Sequence, residues 1–282
     1  MVKRWRTQSF QGILISVAVS LIVGVAASIW APFDFASGDL GFETDRVLTT
    51  ELGEHRGIAL ARGSRVMLNT QTAITTHELA HEMELELRSG EILVDTARTL
   101  SKPLRVVAGT VALQANQGKF SFRRAAEGEY VVRVFSGDVM LRPAPSLMAV
   151  KLQSGHSASL SPGKLVVDEF GPERARRLLS WTTGKLIFDG ESLQDIASEF
   201  NRYNRVKILV ATESIARLRV GGSFSATNPE RFAQKLETIF NVRAVTVRSG
   251  GRGASVIILK PRNVPPRTEG AKSASIRGPR GV

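Results

Sequence analysis

The residue types and spacing best suited to chemistry are at His77-Glu78-Leu79-Ala80-His81. On a helix, that H-E-x-x-H spacing sets two imidazoles on one face, where they can hold zinc while the glutamate activates water. A zinc metallopeptidase using His77, Glu78 and His81 is therefore the enzymatic alternative this chain offers. Its context argues the other way. Ala73 to Thr76 before the motif reads as strand, and Met83 to Leu87 after it alternates with period two. A helix between them would run for about two turns with nothing to pack on. No third histidine follows, so Glu91 or Asp95 would have to complete the ligand set.

Other constellations are thinner. Ser64, Ser89 and Ser154 sit beside turn glycines, outside any Gly-x-Ser-x-Gly pattern. Gly109-Thr110 and Gly221-Gly222 lack the rest of a phosphate-binding loop. His55 and His156 fall where hairpin surfaces are expected. The chain has no cysteine, which excludes thiol catalysis, disulfide scaffolds and Cys-ligated zinc. The sequence therefore predicts a protein that is not an enzyme and needs no cofactor or metal.

The elements that must position these residues divide the chain. From 47 to 170 the pattern is short strands of alternating polarity: Ile58 to Leu60, Val66 to Leu68, Met83 to Leu87, Ile92 to Val94, Leu104 to Val107, Lys119 to Phe122, Tyr130 to Phe135 and Val139 to Leu141. Glycines punctuate them at Gly63, Gly90, Gly128, Gly137, Gly155 and Gly163. Such spacing builds an all-β sandwich, roll or solenoid. A connector over 171–180 contains the basic run Glu173 to Leu179. From 181 to 260 the period changes. Leu186 and Phe188 alternate as a strand, Asp189-Gly190 reads as a turn, and Leu193, Ile196, Ala197 and Phe200 share one helical face. Strands follow over Val206 to Val210 and Val220 to Phe224, the latter interrupted by Gly221-Gly222. Pro229 opens a second helix with Phe232, Leu236, Ile239 and Phe240 on one stripe. Strands over Arg243 to Arg248 and Ser255 to Lys260 complete a βαββαββ unit across the Gly-rich turn Ser249 to Gly253. The fold class expected is mainly β with a smaller α+β domain.

Ile13 to Trp30 is a run of eighteen uncharged residues, preceded by Lys3, Arg4 and Arg6 and followed by Asp34 and Asp39. It is long enough to cross a bilayer, and the flanking charges place the N-terminus in the cytoplasm and the bulk of the chain outside. Val25-Ala26-Ala27 supports the competing reading of a cleaved signal. The formal net charge is +12, concentrated after residue 170. No run of bases is interleaved with aromatics, so nucleic acid is not the expected partner. Arg174, Arg176 and Arg177 with the basic tail at 261–282, whose composition predicts disorder, suit an anionic membrane or an acidic partner. Arg202 and Tyr203 are residue types favoured at interface hot spots. With Arg231 and Lys235 they form the candidate partner-binding set.

Two stretches resemble the FecR family of membrane-bound anti-sigma regulators. Trp181 to Asn204, WTTGKLIFDGESLQDIASEFNRYN, with the later Gly-Ser-Phe strand, is similar to that family's C-terminal domain. That domain in turn resembles the short signalling domain of secretins and TonB-dependent receptors. Upstream, LARGSRVMLNTQTAI (Leu60 to Ile74) and ELELRSGEILVDTA (Glu84 to Ala97) resemble the family's body, which favours a twisted, solenoid-like β-stack. The resemblance implies a single-pass inner-membrane regulator whose periplasmic part contacts the signalling domain of an outer-membrane TonB-dependent receptor, typically for a ferric siderophore, and frees an extracytoplasmic-function sigma factor. Only twelve residues precede Ile13, too few for a sigma-binding fold, so either that part is on a separate chain or the protein has another role, such as an envelope sensor. A structural or secretin-associated envelope protein is the non-signalling alternative.

Overall fold

The structure is a computed structural model that describes residues 46–60, 63–78, 83–96, 103–126, 128–144, 148–248 and 255–262. The expected span at Ile13 to Trp30, the segment before it, His81, the turn after Arg248 and the tail beyond Arg262 lie outside the described residues. Among the described residues no helix is long and apolar enough to cross a membrane. The described chain is mainly β with few helices.

Twelve strands occupy the first part: β1 (Arg46–Thr49), β2 (Arg56–Ala59), β3 (Arg65–Leu68), β4 (Ala73–Glu78), β5 (Met83–Thr96), β6 (Leu104–Ala108), β7 (Val111–Ala115), β8 (Gly118–Ala126), β9 (Glu129–Arg142), β10 (Val150–Gln153), β11 (His156–Ser161) and β12 (Lys164–Glu169). Two of them, β5 and β9, have 14 residues each and pass from one layer to the other. The first half of β5 pairs with β4 and β6, and its second half with β3 and β8. The first half of β9 pairs with β8 and β11, and its second half with β7 and β10. The result is a rolled, two-layer sheet. Its pairing is antiparallel except between β5 and β6, which separates it from a stack of parallel coils.

The corners lie at Gly90 and Gly137, with φ of 84° and 75°. The sequence reads both as turns between strands, yet each is a bend within one continuous strand. The ladder slips by one residue beside each of them, as a β-bulge does. No side chain fits at either place. A Cβ on Gly90 would sit 2.6 Å from Thr72 Cα, and one on Gly137 would sit 2.6 Å from the Gln117 carbonyl oxygen.

Alternation then fills the space between the layers. Leu85, Leu87, Ile92, Val94, Phe120, Phe122, Val132 and Val134 all point into one core and are buried. Met67 and Leu93 break that alternation. They lie between inward-facing neighbours, point out of the roll, and are buried in a second core.

That second core belongs to the rest of the chain. It comprises α1 (Pro172–Leu178), a 3₁₀ turn at Ser180–Thr183, β13 (Lys185–Ser192), α2 (Leu193–Tyr203), β14 (Lys207–Val210), α3 (Glu213–Ala216), β15 (Arg219–Ser225), α4 (Pro229–Ile239), β16 (Val242–Arg248) and β17 (Ser255–Pro261). β13 and β15 pair antiparallel, while a second sheet has the order β14-β17-β16 with β14 and β17 parallel. The alternation and helical spacing predict these elements, with three differences. Asp189-Gly190 is a bulge in β13 and not a turn, β15 runs through Gly221-Gly222 without a break, and the short α3 is additional. Each long helix starts where its sequence supplies a cap. Ser192 accepts from the Asp195 amide at 3.2 Å, and Asn228, before Pro229, accepts from the Arg231 amide at 2.9 Å. Phe200 stacks on Phe232 at 4.4 Å, and Phe224 meets Phe232 edge-on at 5.0 Å, which ties both helices to β15.

Candidate functional site

Five consecutive residues close α2, Phe200-Asn201-Arg202-Tyr203-Asn204, and each holds a different neighbour. Phe200 is the centre of the aromatic core. Asn201 lies against the open edge of β14: its Oδ1 accepts from the Ile208 amide at 2.7 Å and its Nδ2 donates to the Ile208 carbonyl at 2.9 Å. Asn204 donates to the carbonyls of Phe200 and Ala226, each at 2.8 Å. Lys207 donates its ammonium to the last carbonyls of the helix, Asn201 at 2.6 Å and Asn204 at 2.8 Å, where the helix dipole favours a cation.

Arg202 and Tyr203 reach across to the β roll. Arg202 Nη2 lies 2.7 Å from Glu91 Oε2, and its Nη1 lies 2.6 Å from Glu199 Oε1 on its own helix. Glu91 is the residue immediately after the corner of β5. Asn69, just past β3, donates through Nδ2 both to Glu91 Oε2 and to the Tyr203 hydroxyl, each at 2.9 Å. Two further arginines of the roll complete the network. Arg133 of β9 stands 3.7 Å from Glu91 Oε1, and Arg123 of β8 stands 3.8 Å from Glu199. Beneath these polar groups, Met67 and Leu93 supply the apolar contact.

The electrostatics follow from burial. The Glu91 side chain is only 4% exposed. Burial alone would raise its pKa, but the guanidinium charges of Arg202, Arg133 and Arg123 outweigh it and hold the carboxyl at about 2. Burial disfavours the charged form of Arg202, and Glu91 and Glu199 reverse that, raising its pKa. Burial pushes the Tyr203 hydroxyl up, so it remains a neutral acceptor for Asn69. A buried ion pair tolerates no missing partner, and here each charged group has at least one. Beside the network is a cleft of about 270 Å³ where Arg174 and Arg177 of α1, Trp181 and Asp195 meet the roll. Five arginines and four carboxylates line it, so its net charge is small.

Residues 46–140 match the family model described as FecR protein. That stretch is similar to a FecR domain. Two crystal structures of a candidate anti-sigma factor from Parabacteroides distasonis, at 1.65 and 2.50 Å resolution, share the fold. Their TM-scores are 0.60 and 0.59 at 17% identity. The alignments cover 77% and 76% of this chain, and 99% and 98% of theirs. No curated protein matches the chain in sequence. The FecR match ends within β9, so it contains Asn69, Glu91, Arg123 and Arg133 but not Arg202 or Tyr203. The network therefore joins the FecR-like domain to the unit that follows it.

The residues expected to act part company here. His77 and Glu78 stand on β4, where strand geometry replaces the helical turn that H-E-x-x-H requires. His81 is outside the described residues. Arg202, half-buried, and Tyr203, buried, face the FecR-like domain within the same chain, so a partner could use them fully only after this seam opened. Arg231 and Lys235 are exposed on α4, with Lys235 Nζ 5.3 Å above the Phe224 ring. Glu91 enters the sequence reading as a candidate third zinc ligand, a role the structure replaces with the ion pair to Arg202, while Asn69 and Arg133 enter it only as a letter of a family-like motif and an unremarked strand residue. The available signal was the unbroken apolar runs Val66-Met67-Leu68 and Ile92-Leu93-Val94, since a strand apolar on both faces is covered on both.

Proposed function

We propose that this protein is a signalling regulator acting by protein contact and not by catalysis. In this reading it relays the state of an outer-membrane TonB-dependent receptor to an extracytoplasmic-function sigma factor. The observation that carries it is the seam: a FecR-like domain joined, through buried Glu91 and half-buried Arg202, to a compact α+β unit with a separate exposed surface. Such a joint transmits a displacement of one unit to the other, which a relay needs and a hydrolase does not. The FecR family is regulatory, and the solved neighbours are described as candidate anti-sigma factors, which supports the same assignment. We place the span Ile13 to Trp30 in the inner membrane, with the FecR-like domain and the unit after it in the periplasm, as the flanking charges indicate.

The test is genetic and biochemical together. Full-length tagged chain, purified from its own envelope, should bring down a TonB-dependent receptor. Deleting its gene should uncouple that receptor's ligand from sigma-dependent transcription. Recovery of secretion components in place of a receptor, with transcription unchanged, would reject the relay.

A further inference from the structure

The three strands β14, β17 and β16 have two faces of opposite fate. The inward row, Ile208, Ile257, Leu259 and Val242, is buried in the second core with the helices. The registers Leu209↔Ile258↔Val245 and Val256↔Val247 put five more apolar side chains on the other face. None of these joins either core. Leu209 is 52% exposed and Val247 is 47% exposed. Alternation in a one-sided sheet makes the outer face polar, and a contiguous apolar outer face marks an interaction surface.

Charge narrows the occupant. Arg243 and Lys260 are direct cross-strand neighbours on this face, both exposed, and neither forms an ion pair among the described residues. Like charges placed opposite each other in a sheet repel, and opposing carboxylates from outside would relieve that repulsion. No acidic residue stands on the outward positions of these strands. A second copy would bring the same two cations against themselves. A bilayer surface would be expected to engage aromatic side chains, and the outward positions carry none. Strand addition is obstructed on both flanks. Asn201 occupies the β14 edge at Ile208, and on β16 the Ala244 amide donates to Glu237 Oε1 at 2.9 Å.

We infer that the outward face of β14, β17 and β16 is where this chain docks a partner protein, one with an apolar patch flanked by carboxylates that meet Arg243 and Lys260. This rests on the relay proposed above, and under it the partner surface belongs to the receptor's periplasmic signalling domain. The test places a photo-crosslinking amino acid at Leu209 or Val247 of the full-length chain in its own cells, with Lys235 on α4 and Val167 on β12 as comparison positions. Receptor adducts should form at 209 and 247 roughly tenfold above the other two sites. Arg243→Glu with Lys260→Glu should reduce them about tenfold, with a smaller reduction at high salt. An unchanged melting temperature would show that the double variant is folded. Receptor adducts only at Lys235 or Val167 would overturn this face while leaving the relay standing. No receptor adduct at any position would remove both. Adducts at 209 and 247 with only a second copy or with lipid would overturn the acidic partner.

Discussion

Two surfaces of the C-terminal unit invert the usual arrangement of polar outside and apolar inside. Where α2 meets the FecR-like domain, a carboxylate is buried: Glu91 is held by the half-buried Arg202 and Arg133, with Asn69 and Tyr203 bonded around them. On the far side of the β14-β17-β16 sheet, aliphatic side chains face solvent. The difference shows what each surface needs. A buried charge must have its partners within the fold, and this chain supplies them. An exposed apolar sheet face is stable without a partner and gains free energy when one arrives. One surface is a finished contact, the other an available one.

The largest effect should come from breaking the finished contact. Glu91→Ala leaves the half-buried Arg133 without its carboxylate and Arg202 with Glu199 alone, and should cost about 3 kcal/mol in urea unfolding of residues 46–262. Adding Arg202→Leu should recover part of that loss, because one of the cations left beside the gap goes with it. A loss under about 1 kcal/mol for the single variant would show that the seam is not an energetic joint.

Acid attacks the same contact reversibly. The folded pKa of Glu91, about 2, lies below the ordinary carboxyl value of 4.5. Its contribution is fully present above pH 4.5 and is lost as the pH falls through the interval down to 2. That contribution is on the order of 3 kcal/mol. Thermal unfolding across this interval should therefore show a steeper loss of stability in wild type than in Glu91→Gln. Parallel curves would remove Glu91 as the titrating group.

Tyr203→Phe is gentler. It deletes only the hydroxyl that accepts from Asn69, whose amide keeps its bond to Glu91, so about 1 kcal/mol is expected. The smallest effect belongs to the available surface. Leu209→Thr and Val247→Thr should each change stability by less than about 0.5 kcal/mol. A cost of several kcal/mol at either would mean that the face is already covered.

How much of this was legible follows from where the information lies. Alternation and helical spacing are local, so most strands and both long helices could be read directly. Gly90 and Gly137 could not, because a turn and a bulge both ask for positive φ and only the partner strand distinguishes them. For the same reason Asp189-Gly190 reads as a chain reversal when β15 in fact keeps β13 going. At the site, residue type drew attention to Arg202 and Tyr203 as a candidate partner-binding pair, whereas the structure turns both toward Glu91 and Asn69. Type cannot say whether the surface contacted belongs to the same chain, and it does: Glu91 lies 111 positions away. The H-E-x-x-H motif failed for the opposite reason. Its letters are specific, but the flanking period-two pattern decides the backbone, and His77 and Glu78 are on a strand.

The corner strands give the seam a mechanical meaning. β5 and β9 are the two strands that belong to both layers of the roll, and Glu91 and Arg133 are carried on them. A pull on α2 is therefore applied not to a hairpin at the rim, which would peel away one hydrogen bond at a time, but to beams braced by neighbours in both layers. The load is spread over many ladder bonds at once. A displacement of the C-terminal unit therefore reaches both layers of the roll together, through Glu91 and Arg133 and the Met67 and Leu93 contact beneath them.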